Sequence, residues 1–304
     1  MSDAREVSTA TSSAGSATGV ILGAVVVGAL VAAALSDGTA RVGGVPVVAI
    51  CALVAFGVNW AVFVPSWVAR TETYYDLTGS ITYLATVGVA AILADGFDTR
   101  AVVVVSMVAV WAIRLGSFLF ARVRRDGGDR RFDRLKEEPL RFLQAWTLQG
   151  LWVLLTLAAA LVVIVGPDRT SFGVVGIVGV IVWVLGFAIE VIADAQKTAF
   201  RRDPANAGRF VSTGLWAWSR HPNYFGEITL WTGVAIIALP VLSGWTWVAL
   251  ISPVFVTVLL TKVSGIPLLE RRADKRWGDE AAYQEYKRST PVLVPRPPAS
   301  SREG

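Results

Sequence analysis

The chain has 304 residues, 54% hydrophobic and 17% charged, with a mean hydropathy of +0.56 and a formal net charge of +5. Soluble domains carry about 25% charged residues, so this chain has too little polar surface to cover itself in water, and a polytopic all-α integral membrane protein is the fold class expected. One cysteine (Cys51) and one histidine exclude an internal disulfide and any zinc or haem site built from several such ligands, and no metal is expected.

The stretch Ser2–Ala17 is rich in Ser, Thr and Ala with Arg5 as its one basic residue. It lacks the basic start and cleavage site of a secretory signal, and residues 1–17 read as a disordered tail. Apolar runs of about 17–25 residues can cross a bilayer as helices. Eight follow, at roughly 18–35, 45–65, 78–94, 100–120, 142–165, 171–193, 225–241 and 244–262. The third contains Thr82 and Tyr83 and the seventh opens on Glu227, so one re-entrant segment would leave seven spans. Small residues in 20–35 and 173–186 suit close helix packing. Lys and Arg number eight in 121–141, five in 194–224 and nine from Lys262 onward, against Arg41, Arg100 and Arg169 alone in the alternate loops. That asymmetry predicts the three basic segments, and with an even span count both termini, on the cytoplasmic side. Residues 295–304, with Pro295, Pro297, Pro298 and Ser300, read as a second disordered tail. A single membrane-embedded domain over 18–294 is left, with no internal repeat.

Ionisable groups inside a bilayer are costly and by default mark a site. Arg114, in the fourth span, is either such a group or an arginine snorkelling to the nearby interface. Glu190, Asp194, Lys197 and Arg201 recur at helical spacing, which puts two carboxylates and two cations on one face. They form either a capping ion-pair ladder or direct contacts to a cofactor. Asp76 follows Tyr74 and Tyr75 and is either the N-cap of the third span or a desolvated carboxylic acid that delivers a proton. Tyr83, two turns on, is the alternative donor. Arg122 and Arg125, beside Gly127-Gly128, can grip a phosphate bidentately, though attraction to anionic membrane lipid explains the same charge. These arginines alternate with acids at a bilayer surface, which disfavours nucleic acid as a partner. There is no GxGxxG after a strand and no GxxxxGK[ST], so neither a Rossmann domain nor a P-loop is supported.

The densest run of specific residues is Leu215-Trp216-Ala217-Trp218-Ser219-Arg220-His221-Pro222-Asn223-Tyr224-Phe225-Gly226-Glu227, which holds the only histidine and joins two apolar spans. It is preceded by Asp194-Ala195-Gln196-Lys197-Thr198-Ala199-Phe200 and Gly208-Arg209-Phe210. It is followed by Ser264-Gly265-Ile266-Pro267-Leu268-Leu269-Glu270, Arg276-Trp277-Gly278, Tyr283 and Tyr286. Over roughly 190–290 this pattern resembles the C-terminal region of the steroid 5-alpha-reductase superfamily, closest to the bacterial branch described as a domain of unknown function, and sterol reductases share its Arg-His-Pro-Asn-Tyr core. The Tyr74–Ser80 and Trp111–Phe132 segments are weaker matches.

The resemblance implies a multi-helix protein of a bacterial cell membrane with NADPH bound in a pocket open to the cytoplasm. It further implies reduction of a carbon–carbon double bond in a lipid-soluble steroid, sterol or isoprenoid enone. Carried over by position, Asn223, Tyr224 and Glu227 hold the cofactor with Asp194, Lys197, Arg220 and His221 nearby. Arg209, Trp218, Glu270 and Tyr283 belong to the same matched stretches, and Arg201 follows Lys197 at helical spacing just beyond the first of them. Asp76 and Tyr83 take the proton-donor role by position only, since the Gln-Glu-x-Pro pattern of the steroid reductases is missing. Hydride addition to an enone needs a positioned nicotinamide, a dry pocket and a donor for the developing enolate oxygen, and no metal. Isoprenylcysteine and phospholipid methyltransferases, which bind S-adenosylmethionine, also carry Arg-His-Pro-x-Tyr and a later Glu, Gly and paired tyrosines. Asn223 after Pro222, and Asp194-Ala195-Gln196-Lys197 before the motif, favour the reductase. A transporter would show charges at mid-membrane and inverted repeats, and the sequence has neither.

Overall fold

The computed structural model describes residues 2–126, 132–133, 135–167 and 170–298, with side chains described from Gly15 onward except at Arg125 and Asp126. Among the described residues ten α-helices account for most of the chain: α1 (Ser2–Leu35), α2 (Val47–Val68), α3 (Tyr75–Leu93), α4 (Thr99–Asp126), α5 (Pro139–Val165), α6 (Gly173–Arg202), α7 (Pro222–Ala238), α8 (Ile251–Val258), α9 (Ile266–Trp277) and α10 (Ala281–Ser289). Among the described residues the only strand pairing is a ribbon of two residues per strand, β1 (Arg41–Val42) with β2 (Val45–Pro46), closed by Gly43-Gly44.

Among the described residues eight helical segments are long and apolar enough to cross a membrane: Gly15–Leu35, Val47–Val68, Tyr75–Leu93, Thr99–Arg124, Pro139–Val165, Gly173–Arg202, Pro222–Val241 and Gly244–Trp277. The protein is an all-α polytopic membrane protein, and the weak third and seventh runs are full-length helices. Helix α1 already starts at Ser2, so the Ser/Thr/Ala stretch expected as a disordered tail is helical in its backbone. Alanine, abundant there, is the best helix former. The last membrane-length segment is not uniform. It opens as a 3-10 helix (Gly244–Leu250), continues as α8, loosens into a π turn (Leu259–Val263) and breaks at Ser264-Gly265 before α9.

The chain divides into two compact units. Unit 1 comprises Met1–Phe172 and Ala238–Ile251, and unit 2 comprises Gly173–Ile237 and Ser252–Gly304.

In unit 1, α5 is the core. Its membrane-length window is 89% buried, against 28–39% for those of α1 to α4, which pack around it. A helix apolar on all sides finds its place inside a bundle, whereas α1 to α4 keep an exposed side. Polar side chains tie this bundle together. Asn59 Nδ2 donates to Ala55 O at 2.8 Å and to Thr82 Oγ1 at 3.2 Å. Trp60 Nε1 donates to Thr147 Oγ1 at 3.0 Å, and Gln149 Nε2 to Tyr75 O at 3.1 Å. At the polar end, Lys136 Nζ lies 2.6 Å from the buried Glu72 carboxylate. Burial alone would lower the pKa of Lys136, but the hydrogen bond and charge of Glu72 outweigh it and hold the ammonium above its ordinary range. Phe132, Phe142 and Trp146 pack beside this pair in an aromatic cluster that includes Tyr75.

In unit 2, α6 and α7 meet through glycine. A Cβ on Gly226 would stand 2.6 Å from Gly186 O and 2.6 Å from Glu190 N, and one on Gly233 2.7 Å from Gly179 O. The pairs Gly186/Gly226 and Gly179/Gly233 step seven residues in opposite directions, so the helices run antiparallel with a glycine contact every two turns. Backbones this close are stabilised by dispersion contacts that any side chain would block. Gly226→Ala should therefore lower the thermal-unfolding midpoint in detergent, costing about 1–3 kcal/mol as an overpacking change. Gly57→Ala, where a Cβ would meet nothing within 4 Å, should be neutral or slightly stabilising. Equal midpoints for the two variants would contradict the glycine contact.

Candidate active site

The C-terminal end of α6 supplies the first wall of the site. Glu190 and Asp194 are both buried, at 3% and 7% exposure, and lie one turn apart on one face. Lys197 follows, its ammonium 4.5 Å from the centroid of the Trp216 ring. Arg201, at the helix end, is exposed. Cation–ring contact of this kind holds a lysine in place without neutralising it.

The chain then returns through a loop that α6 itself anchors. Gly214 takes a left-handed φ of +62°, and a Cβ there would lie 2.6 Å from the Gln196 amide. Glycine thus permits both the turn and the contact, and Gln196 Oε1 accepts from Leu215 N at 2.9 Å. Trp216 is buried, and its indole N–H donates to Ala193 O at 3.0 Å. From Trp218 the loop is strapped by the C-terminal segment: Arg220 N donates to Pro291 O (2.9 Å), Ser219 Oγ to Leu293 O (2.8 Å) and Arg296 N to Trp218 O (2.9 Å). Residues after Val294 were expected to be disordered, yet Arg296 is bonded to the motif. Their prolines preset an extended backbone that can lie against the loop.

Pro222 opens α7, a first-turn position where its missing N–H costs nothing. The turn before it places three groups together. His221 is 5% exposed, and its Nε2 is 2.9 Å from Glu270 Oε1. Glu270, on α9, also meets Arg220 Nη1 at 2.9 Å and Lys287 Nζ at 3.8 Å through Oε2. At the start of α7, Asn223 Nδ2 donates to Asp194 Oδ1 at 3.2 Å. The Tyr224 ring stacks on His221 with centroids 5.7 Å apart and an interplanar angle of 10°. Its other edge rests on the break before α9, where a Cβ on Gly265 would lie 2.9 Å from a Tyr224 ring carbon.

The paired tyrosines of α10 are structural ties. Tyr283 OH donates to Asp274 Oδ1 at 3.1 Å and Tyr286 OH to Trp216 O at 2.7 Å. Burial pushes both phenols well above the usual tyrosine range. Phe210 packs against both rings and against Trp277.

Asp194, Lys197, Arg220, His221, Asn223, Tyr224 and Glu270 therefore converge within unit 2, with Glu227 half-buried one turn further along α7. Arg209 and Trp218, like Arg201, are exposed on the same unit. The remaining candidates belong to unit 1. Arg114 lies over the Phe118 ring at 5.2 Å, and Tyr83 meets Trp111 edge-on at 5.0 Å. Asp76 is not an N-cap: α3 begins at Tyr75, and the Asp76 carboxylate, one residue into the helix, lies 3.4 Å from Arg122 Nη2. The Arg125 side chain and Gly127-Gly128 fall outside the described residues. Trp216, Lys287 and the C-terminal strap are parts of the site that the sequence did not single out. Trp216 stood within the motif, but no local signal links the other two to His221. A shallow cleft of about 440 Å³ lined by Ala33, Ser36, Asp37, Arg41 and Trp245 lies in unit 1 and touches none of these residues.

A membrane-embedded helical protein with a buried histidine–carboxylate–arginine group at the mouth of one helix pair is the class that fold and site define. The chain belongs to the family described as "Protein of unknown function (DUF1295)", whose model matches residues 62–290. It is also similar to "Steroid 5-alpha-reductase DET2" of Gossypium hirsutum, 26% identical over 117 residues. That similarity covers 38% of this chain and 40% of the cotton protein, and it supports placement in the steroid reductase superfamily. No solved structure matches the chain.

Burial lowers the pKa of His221 below its ordinary 6.5, opposed by Glu270 and assisted by Lys197 and Arg220. The unfolded chain then binds the proton more readily than the folded one. The stabilisation is complete above about pH 6.5 and is lost as pH falls below it. His221→Gln, which keeps a donor toward Glu270 and cannot titrate, should flatten the fall in unfolding midpoint below pH 6.5. An unchanged acid limb would contradict a buried neutral imidazole. Ending the chain after Thr290 should lower the midpoint at every pH, because three hydrogen bonds to 218–220 are lost.

Proposed function

We propose that this protein is an NADPH-dependent reductase of a carbon–carbon double bond in a lipid-soluble substrate, with the nucleotide held by the cluster at the α6–α7 mouth. The observation that carries this reading is a set of buried polar groups with bonding capacity to spare. Among the described residues His221 Nδ1 and Arg220 Nε are both buried without a hydrogen-bond partner. Buried polar atoms are almost always satisfied, so a ligand with several donors and acceptors fits this place. Lys197, Arg220 and the neighbouring arginines suit a polyanion, and the stacked His221 and Tyr224 rings suit a flat heterocycle.

Bound NADPH supplies a hydride, which ordinary side chains cannot. The chain's own residues have the remaining tasks. Asp194 and Asn223 fix each other at the pocket wall, Arg220 and Lys197 bring positive charge, and the Tyr224 ring covers the Gly265 break. Asp76 and Tyr83, two turns apart on α3, are the candidates for the proton that completes the reduction. Eight, five and nine basic residues in 121–141, 194–224 and from Lys262 onward support a cytoplasmic mouth for the nucleotide. The substrate then enters from the bilayer.

NADPH added to the purified protein in detergent should raise its unfolding midpoint by mass action, and Arg220→Ala or Asn223→Ala should remove that increment. Stabilisation by S-adenosylmethionine and not by NADPH would overturn the reductase in favour of a membrane methyltransferase. Asp76→Asn and Tyr83→Phe should both keep NADPH stabilisation, and the one that stops turnover identifies the donor. Full turnover in both would remove α3 from the chemistry.

A further inference from the structure

His221 joins a side-chain network on one edge and meets no partner on the other. Nε2 faces Glu270 Oε1 at 2.9 Å, while Nδ1 is buried without a hydrogen bond. Glu270 has two cations on its other oxygen, Arg220 at 2.9 Å and Lys287 at 3.8 Å. A carboxylate so placed stays ionised and can only accept. The proton between the two residues therefore belongs to Nε2. The charged and titratable groups facing the ring are Glu270 from α9, Arg220 beside it in the loop, Lys197 from α6, Lys287 from α10 by way of Glu270, and Tyr224 from α7. Two of the cations and burial oppose an imidazolium, and one carboxylate favours it. A neutral ring with its proton on Nε2 has a lone pair on Nδ1, so the unpartnered edge is an acceptor.

We propose that Glu270 is a positioning residue that holds His221 in the Nε2–H form, and that His221 Nδ1 accepts a hydrogen bond from an N–H or O–H group of the bound nucleotide, its carboxamide amine or a ribose hydroxyl. This rests on the nucleotide reading given above. It adds which atom of the only histidine meets the ligand and which residue sets that atom's role. Second partners of this kind fix tautomers wherever an imidazole must present one nitrogen.

Because the chain contains one histidine, histidine-selective ¹⁵N labelling of the full-length protein in detergent gives one imidazole to observe. At neutral pH the ring should be neutral with the proton on Nε2, and NADPH should shift the Nδ1 resonance toward that of a hydrogen-bonded acceptor. The 2′-phosphate of ADP-ribose, which lacks nicotinamide, separates the two donors: a shift with both ligands assigns a ribose hydroxyl, and a shift with NADPH alone assigns the carboxamide. Glu270→Gln keeps shape but not charge. It should release the tautomer, so that an Nδ1–H population appears, and weaken NADPH binding about tenfold, the scale of one hydrogen bond.

An imidazolium, or an Nδ1–H ring in the unaltered protein, overturns the proposal. So does an Nδ1 resonance that stays still while NADPH raises the unfolding midpoint. A Glu270→Gln protein that loses stability yet keeps a pure Nε2–H ring would make Glu270 a structural tie only and overturn its positioning role. An Nε2–H ring with no stabilisation by any nucleotide supports the role of Glu270 and instead removes the reductase reading.

Discussion

The closeness of α6 to α7 is the constraint on which the site depends. Glycine faces glycine at two levels, and a Cβ at Gly226 would collide with the backbone at both Gly186 and Glu190. Only at that separation does Asn223, at the start of α7, reach Asp194, near the end of α6. The hydrophobic effect offers little here, because lipid tails are as apolar as the helix surfaces. Packing contacts and a few polar bonds must hold the pair. The glycines that permit the contact therefore also set the geometry of the polar residues one turn above.

Electrostatics completes what packing begins. Glu270 shares a hydrogen bond with His221 and pairs with Arg220, with Lys287 a little further away. The pair is half-buried, so removing one partner is destabilising, because a partly desolvated charge is left without compensation. The same residue thus fixes α9 to the loop and fixes the state of the imidazole. Lys136 and Glu72 form a comparable pair in unit 1. There the anchored element is the segment leading into α5, the helix that forms the core of that bundle.

The positions of all eight membrane-length helices were legible in the sequence, because a bilayer demands about 20 consecutive apolar residues and nothing else imitates that signal. Their burial was not. The first, second and fifth segments are equally apolar, yet 28%, 39% and 89% of their most apolar stretches are buried. Lipid and protein interior select the same residues, so hydropathy cannot tell a core helix from a peripheral one. The motif from Leu215 to Glu227 was visible through its density of Trp, Arg, His and Asn in an apolar chain. Its supports were not. Glu270 lies 49 residues from His221 and the strap at Leu293 lies 74 from Ser219, separations at which no periodicity links the partners. Asp76 shows the limit of reading a helix start by residue type, since the helix begins one residue earlier and the carboxylate turns to Arg122 instead.

The most direct measurement of the central claim follows the hydride itself. Membranes containing the protein, supplied with NADPH carrying deuterium at the transferable position of nicotinamide C4 and with a panel of enone lipids, should yield a product two hydrogens heavier than its substrate, one of them deuterium, and Asn223→Ala membranes should not. A product that gains both hydrogens without deuterium, or a lipid that gains a methyl group from S-adenosylmethionine under the same conditions, would contradict it.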